Sequence, residues 1–174
     1  KALLKVLSDT KQYTQVHAVV RTMPEYIIDN VIYHVIGEHT EQSIEVLCVD
    51  LSEVSGQFTL AVCALGVLHQ SSNQNVRLFP EKRMEDIRQQ QLAEYFQVNS
   101  IIPALWLKHL EPLLKGTVPA KLVFLSARVG SIADNKLGGW YGYRASKSAL
   151  NMLVKTAQIE FQRRAKNINL VCYH

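Results

Sequence analysis

The chain has 174 residues, 48% of them apolar and 20% charged, with a net charge of +4; that is enough for one domain with a real core and an ordinary globular composition. There is no long basic run and no basic stripe interleaved with aromatics, which argues against nucleic acid as a partner. No apolar stretch reaches the ~18–20 residues needed to span a bilayer and no signal peptide opens the chain, while the six histidines are scattered without metal-ligand spacing. Cys48, Cys63 and Cys172 each sit in a strand-like apolar run. An odd number of such thiols reads as a reducing compartment, so the expected location is cytoplasmic.

Residues 1–7 read as a helix already under way, because no capping residue precedes them. Val16 to Val20 is a short apolar run, predicted as a buried strand that ends at Arg21. Residues 25–42 are ambiguous, with Val31 to Ile36 fitting either strand or helix. Ile44 to Val49 is predicted as a second strand closing on Asp50 and Leu51, and Thr59 to Cys63 as a third running into Ala64, Leu65 and Gly66. From Met84 to Leu114 the apolar spacing fits one face of a long helix, with a kink expected at Pro103. Ala120 to Leu125 is a fourth strand, a helix runs from about Tyr143 to Lys166, and Ile168 to Cys172 is a fifth strand.

Short apolar strands alternating with helices predict an α/β fold: a doubly wound parallel sheet, Rossmann-like, as one domain over residues 1–174. In such sheets ligands bind beyond the carboxyl ends of the strands. Arg21, Asp50, Gly66 and Ser126 all fall at predicted strand ends.

Tyr143 and Lys147 are four apart on a predicted helix, so they share one face one turn from each other. Bringing a phenol from a pKa near 10 to neutrality takes about 4 kcal/mol. A cation ~4 Å away at an effective dielectric of about 20 supplies about that much. The bare spacing also arises by chance, and the surrounding residues have to carry the reading.

Those surroundings resemble the short-chain dehydrogenase/reductase family over nearly the whole chain. Asp50-Leu51 resembles the pair that touches adenine, Phe96-Gln97-Val98-Asn99 the mid-helix Asn element, and Leu125 to Ser131 the serine element. Tyr143 and Lys147, followed by Ser148-Ala149-Leu150, resemble the catalytic helix. Gly130-Ser131-Ile132 and Gly138-Gly139-Trp140-Tyr141 resemble the branch that holds C-factor-like proteins and sniffer-type carbonyl reductases.

The resemblance implies an oxidoreductase that interconverts a carbonyl and an alcohol with a nicotinamide cofactor. Tyr143 would be the general acid, Lys147 would lower its pKa and hold ribose hydroxyls, and Asn99 would distort its helix and anchor a relay water. A serine would polarise the substrate oxygen; Ser131 lies 12 positions before Tyr143 and is favoured, with Ser126 as the alternative. Arg21 ends the strand that chooses the cofactor, and with no carboxylate there NADP is preferred, NAD being the other choice. Cys63-Ala64-Leu65-Gly66 replaces the family's Asn-Asn-Ala-Gly, keeping the glycine beside the cofactor. The paired long helices imply a homodimer or homotetramer. The alternative function is a cofactor-sensing or cell-signalling protein on the same fold with little turnover.

Against the family pattern, the first strand and Gly-rich turn are expected to be missing before Lys1, as is the substrate-covering segment after His174. Residues 50 to 63 look too short to hold a parallel crossover, so a crossover helix is expected to be missing near Gly56–Phe58.

Overall fold

The computed structural model of the chain describes residues 2–54, 56–69 and 78–174, and these divide into two units, Lys1–Ile44 and Glu45–His174. In the first, helix α1 (Ala2–Asp9) packs on strand β1 (Val16–Val20), which pairs in parallel with β2 (Val31–Val35). Val16 lies opposite Val31 and Val20 opposite Val35. Val16 and Ala18 are buried, as the two-residue period of a strand requires. The ambiguous stretch is therefore β2 followed by the start of a helix.

That helix, α2 (Glu41–Val54), overturns the strand expected at Ile44 to Val49. Ile44, Leu47, Cys48 and Leu51 are the buried side chains, and steps of three and four residues mark one face of a helix. Its start is fixed locally: the Ser43 N–H donates to Thr40 Oγ1 at 3.1 Å and the Thr40 N–H donates to Ser43 Oγ at 3.0 Å. Two corrections follow. Asp50 and Leu51 lie inside a helix instead of at a strand tip, and the crossover helix expected to be missing is present as residues 41–54. Further along the chain the Phe58 N–H donates to the Leu113 carbonyl at 3.0 Å.

In the second unit β3 (Leu60–Cys63), β4 (Ala120–Leu125) and β5 (Ile168–Tyr173) form a parallel sheet with β4 central. Cys63, Phe124 and Cys172 stand side by side across it. The expected single helix from Met84 to Leu114 is divided into a 3-10 turn at Met84–Asp86, α3 (Gln89–Phe96), a π-helical stretch at Gln97–Ile101 and α4 (Ile102–Leu114). The distortion thus lies just before Pro103, whose missing N–H suits it to the start of α4. The long helix α5 (Tyr141–Arg164) packs beside α4, on β5. Leu107, Leu114, Leu150, Val154 and Phe161 cover the face of β4 that carries Ala120, Leu122 and Phe124. Parallel strands flanked by helices are as expected, and no described helix is long and apolar enough to cross a membrane.

Phe124 is almost wholly buried at the centre of that core. Phe124→Ala is expected to lower unfolding free energy by about 3–5 kcal/mol in urea titration. Lys121→Ala on the exposed alternate position is expected to stay within about 0.5 kcal/mol.

Candidate active site at the carboxyl ends of the strands

Lys147 projects from α5 toward the tips of β3, β4 and β5. Its Nζ donates to the Leu125 carbonyl, the last residue of β4, at 2.9 Å. The residue is only 3% exposed. Burial pulls the ammonium below the ordinary lysine value, partly opposed by the Cys63 and Cys172 thiols at the ends of the flanking strands. Burial likewise pushes the Cys63 thiol up to about 11, opposed by the Leu65 N–H and by Lys147. Gly66 lies directly over the ammonium: a Cβ there would sit 3.0 Å from Lys147 Nζ and 3.4 Å from Asn99 Oδ1. An ammonium has three donors, and among the described residues Leu125 takes one of them. The remaining N–H groups, beneath an exposed glycine backbone, fit a vicinal diol such as that of a ribose.

Asn99 is fully buried inside the π-helical stretch. Its Oδ1 accepts the Val67 N–H at 2.7 Å and its Nδ2 donates to the Val67 carbonyl at 3.0 Å, so the side chain pairs with that peptide as a neighbouring strand would. Nδ2 also donates to Ser146 Oγ at 3.1 Å. Ser146 in turn donates to the Tyr143 carbonyl at 2.9 Å, and Ser100 Oγ donates to the Ser146 carbonyl at 2.7 Å. The distorted helix expected around Asn99 is present, and the Asn99 side chain bolts the loop after β3 to the first turns of α5. Ser146 and Ser100 are the partners that sequence reasoning missed, since single serines carry no spacing signal.

Tyr143 is half-buried between two aromatic edges. Tyr95 meets it at 6.1 Å between ring centres and Trp140 at 6.2 Å, both edge-on. Burial pushes the Tyr143 phenol above its ordinary value. The expected lowering by Lys147 is therefore not what the structure shows: desolvation by the aromatic wall dominates, and the ammonium bonds to Leu125 instead.

The two candidate serines separate clearly. Ser131 is exposed, and its Oγ accepts the Asp134 N–H at 3.3 Å within its own turn. Ser126 Oγ donates to Asn151 Oδ1 at 2.6 Å, and Asn151 continues the Tyr143–Lys147 stripe one turn further along α5. Ala64 and Leu65 lie in the loop between β3 and Gly66. Arg21 stands exposed just past β1 in the other unit, where its charge helps, after burial, to lower the pKa of His39. Asp50 and Leu51 are not brought to the strand tips, for the reason given with α2.

No protein-family model matches the chain. Among solved structures, carbonyl reductase Sniffer of Drosophila melanogaster superposes with a TM-score of 0.78 at 22% identity, over 94% of this chain and 71% of that one. This is the short-chain dehydrogenase/reductase fold. A short-chain dehydrogenase/reductase of Burkholderia multivorans, solved with bound NADP, gives 0.71 at 19% identity over 97% and 71%. Among curated proteins, the C-signal of Myxococcus xanthus is 31% identical over 77 residues, 44% of this chain and 46% of that protein. The 1-hydroxy-2-glutathionyl-2-methyl-3-butene dehydrogenase of Rhodococcus sp. (strain AD45) is 37% identical over 62 residues, 36% of this chain and 26% of the relative. The matched stretches thus span about half of the first relative and a quarter of the second. The resemblance read from the motifs is to the same group of proteins.

The buried thiols give a test of the packing at the strand tips. Cys63 holds its proton up to about 11 in the folded chain against an ordinary 9.0, so its contribution is complete below pH 9 and is lost as pH rises through about 11. In reducing buffer, wild type is expected to lose on the order of 2 kcal/mol more stability than Cys63→Ala between pH 8.5 and pH 11, read by urea titration.

Proposed function

We propose that the protein is an NADP-dependent oxidoreductase that interconverts a carbonyl and an alcohol. The observation that carries this reading is the buried Lys147 ammonium beneath Gly66 at the strand tips, one helical turn from Tyr143. The cofactor, when bound, supplies the hydride that adds to the carbonyl carbon. Lys147 holds the ribose diol with the N–H groups that Leu125 leaves free, and Gly66 lets the backbone come close. Tyr143, kept protonated by its buried setting, donates its proton to the carbonyl oxygen as that oxygen takes on negative charge. The resulting phenolate then has an ammonium one turn away on the same helix face to stabilise it. In the oxidative direction the same phenolate accepts the alcohol proton.

Ser131 is the serine preferred for polarising the substrate oxygen, since its Oγ accepts the Asp134 N–H and among the described residues its own O–H is not committed, whereas Ser126, the alternative, donates its single O–H to Asn151 Oδ1. Asn99 fixes the loop that carries Gly66. Arg21, at the end of β1 with no carboxylate beside it in sequence, suits the 2′-phosphate of NADP, as does the NADP and NADPH bound in two structures of this fold. Exposed Met152, Leu153 and Ile159 on α5 support a homo-oligomer, and three free thiols suit a reducing compartment such as the cytoplasm. Similarity to the C-signal favours a second reading, a cell-signalling or cofactor-sensing protein on the same fold.

Steady-state oxidation of NADPH against a panel of ketones and aldehydes separates the two. Tyr143→Phe is expected to lower kcat by about 10²-fold or more while leaving NADPH binding intact. Equal turnover by the two proteins would remove Tyr143 from the chemistry, and NADPH binding without turnover in the wild type would favour sensing.

A further inference from the structure

Glu81 is a buried carboxylate that the proposed chemistry does not use. It lies outside any helix or strand and is only 2% exposed. Oε2 accepts the N–H of Gly142, in the first turn of α5, at 3.1 Å, and Oε1 accepts from Gln91 Nε2 at 2.7 Å. Gln91 is itself held, its Oε1 accepting the Phe79 N–H at 3.1 Å. The main-chain carbonyl of Glu81 accepts the Trp140 N–H. One residue therefore grips α5 on both sides of its first residue.

The segment it grips needs holding. Gly138, Gly139 and Trp140 run in succession through the left-handed region, with φ of +66°, +65° and +55°. Glycine is at ease there and tryptophan is strained. That conformation sets the Trp140 ring edge-on to Tyr143. On the other side Tyr95, fully buried with its hydroxyl donating to the Leu68 carbonyl at 2.8 Å, supplies the second edge. Gly142 makes the close approach possible: a Cβ there would fall 2.5 Å from Tyr95 Cδ2 and 3.0 Å from Glu81 Oε1. Burying a carboxylate is unfavourable unless its oxygens are satisfied. An apolar side chain could fill this space but could not direct two N–H groups of different segments. The positive end of a helix also favours negative charge at this place.

We propose that Glu81 is a positioning residue for Tyr143, holding Trp140 and the first turn of α5 so that the phenol is clamped between Trp140 and Tyr95. The proposal rests on the oxidoreductase reading given above, and its test contains a readout that needs no turnover. In a Trp106→Phe background Trp140 is the one tryptophan left, since the sequence has two. Glu81→Gln keeps the shape and loses one of the two acceptors; Glu81→Ala loses both. The expected result is a graded series from parent to Gln to Ala. Trp140 emission shifts to the red and acrylamide quenching rises. In step with this kcat falls, about tenfold for Gln and further for Ala, while the NADPH dissociation constant stays within twofold. Unchanged Trp140 emission in both variants overturns the proposal, and so does a shifted emission with unchanged kcat. If the parent has no turnover, or keeps it fully in Tyr143→Phe, the oxidoreductase reading itself has failed, and the emission series still reports whether Glu81 holds Trp140.

Discussion

The arrangement at the strand tips depends on one buried ammonium. Lys147 is nearly excluded from water and keeps a hydrogen bond to the Leu125 carbonyl, which costs the fold solvation energy that an apolar side chain would not. Everything around it is arranged to permit that burial. The three parallel strands end together beneath it, Gly66 leaves out the side chain that would press on Nζ, and Gly130 does the same for the Lys147 backbone, where a Cβ would come within 3.0 Å. A charge held in this way beneath Gly66 costs the fold stability, which is why the proposed reading gives it a ligand bearing hydroxyls or phosphate.

The second constraint is the join between the loop after β3 and the helix that carries Tyr143 and Lys147. Asn99 and Ser146 make that join through side chains buried among helices, and the π-helical stretch is what allows a side chain of the α3–α4 rod to reach the Val67 peptide. Glu81 makes a second join at the start of α5. The first turn of α5, which carries Tyr143, is thereby held at both of its ends, and burial raises the pKa of the phenol. Under the proposed reading the ammonium would act on a phenolate formed during the reaction and leave the resting phenol neutral.

Much of this was legible in the residues. Continuous apolar runs located β1, β3, β4 and β5 to within a residue or two, and the four-residue step from Tyr143 to Lys147 survived as a shared helix face. The run from Ile44 to Val49 misled because five of its six residues have apolar side chains, and a strand and a buried helix then look alike; the deciding signal was the Leu47–Cys48–Leu51 continuation with Thr40 and Ser43 at its head. The partners of the two candidate serines were not legible, because spacing along the chain says nothing about where a loop turns: Ser126 donates to Asn151 and Ser131 sits in an exposed turn. Glu81 was invisible for a related reason: its partners Gly142 and Gln91 lie 61 and 10 residues away, and nothing local marks a glutamate as buried.

The central claim is that the Lys147 ammonium serves a nucleotide and not the fold. It is tested most directly by calorimetric titration of NADPH into wild type and Lys147→Met, with thermal melting of both proteins alongside. The account predicts that Lys147→Met melts no lower than wild type by more than a few degrees, yet binds NADPH about 100-fold more weakly or not at all, a difference of about 2.7 kcal/mol. Equal NADPH affinity in the two proteins would contradict it.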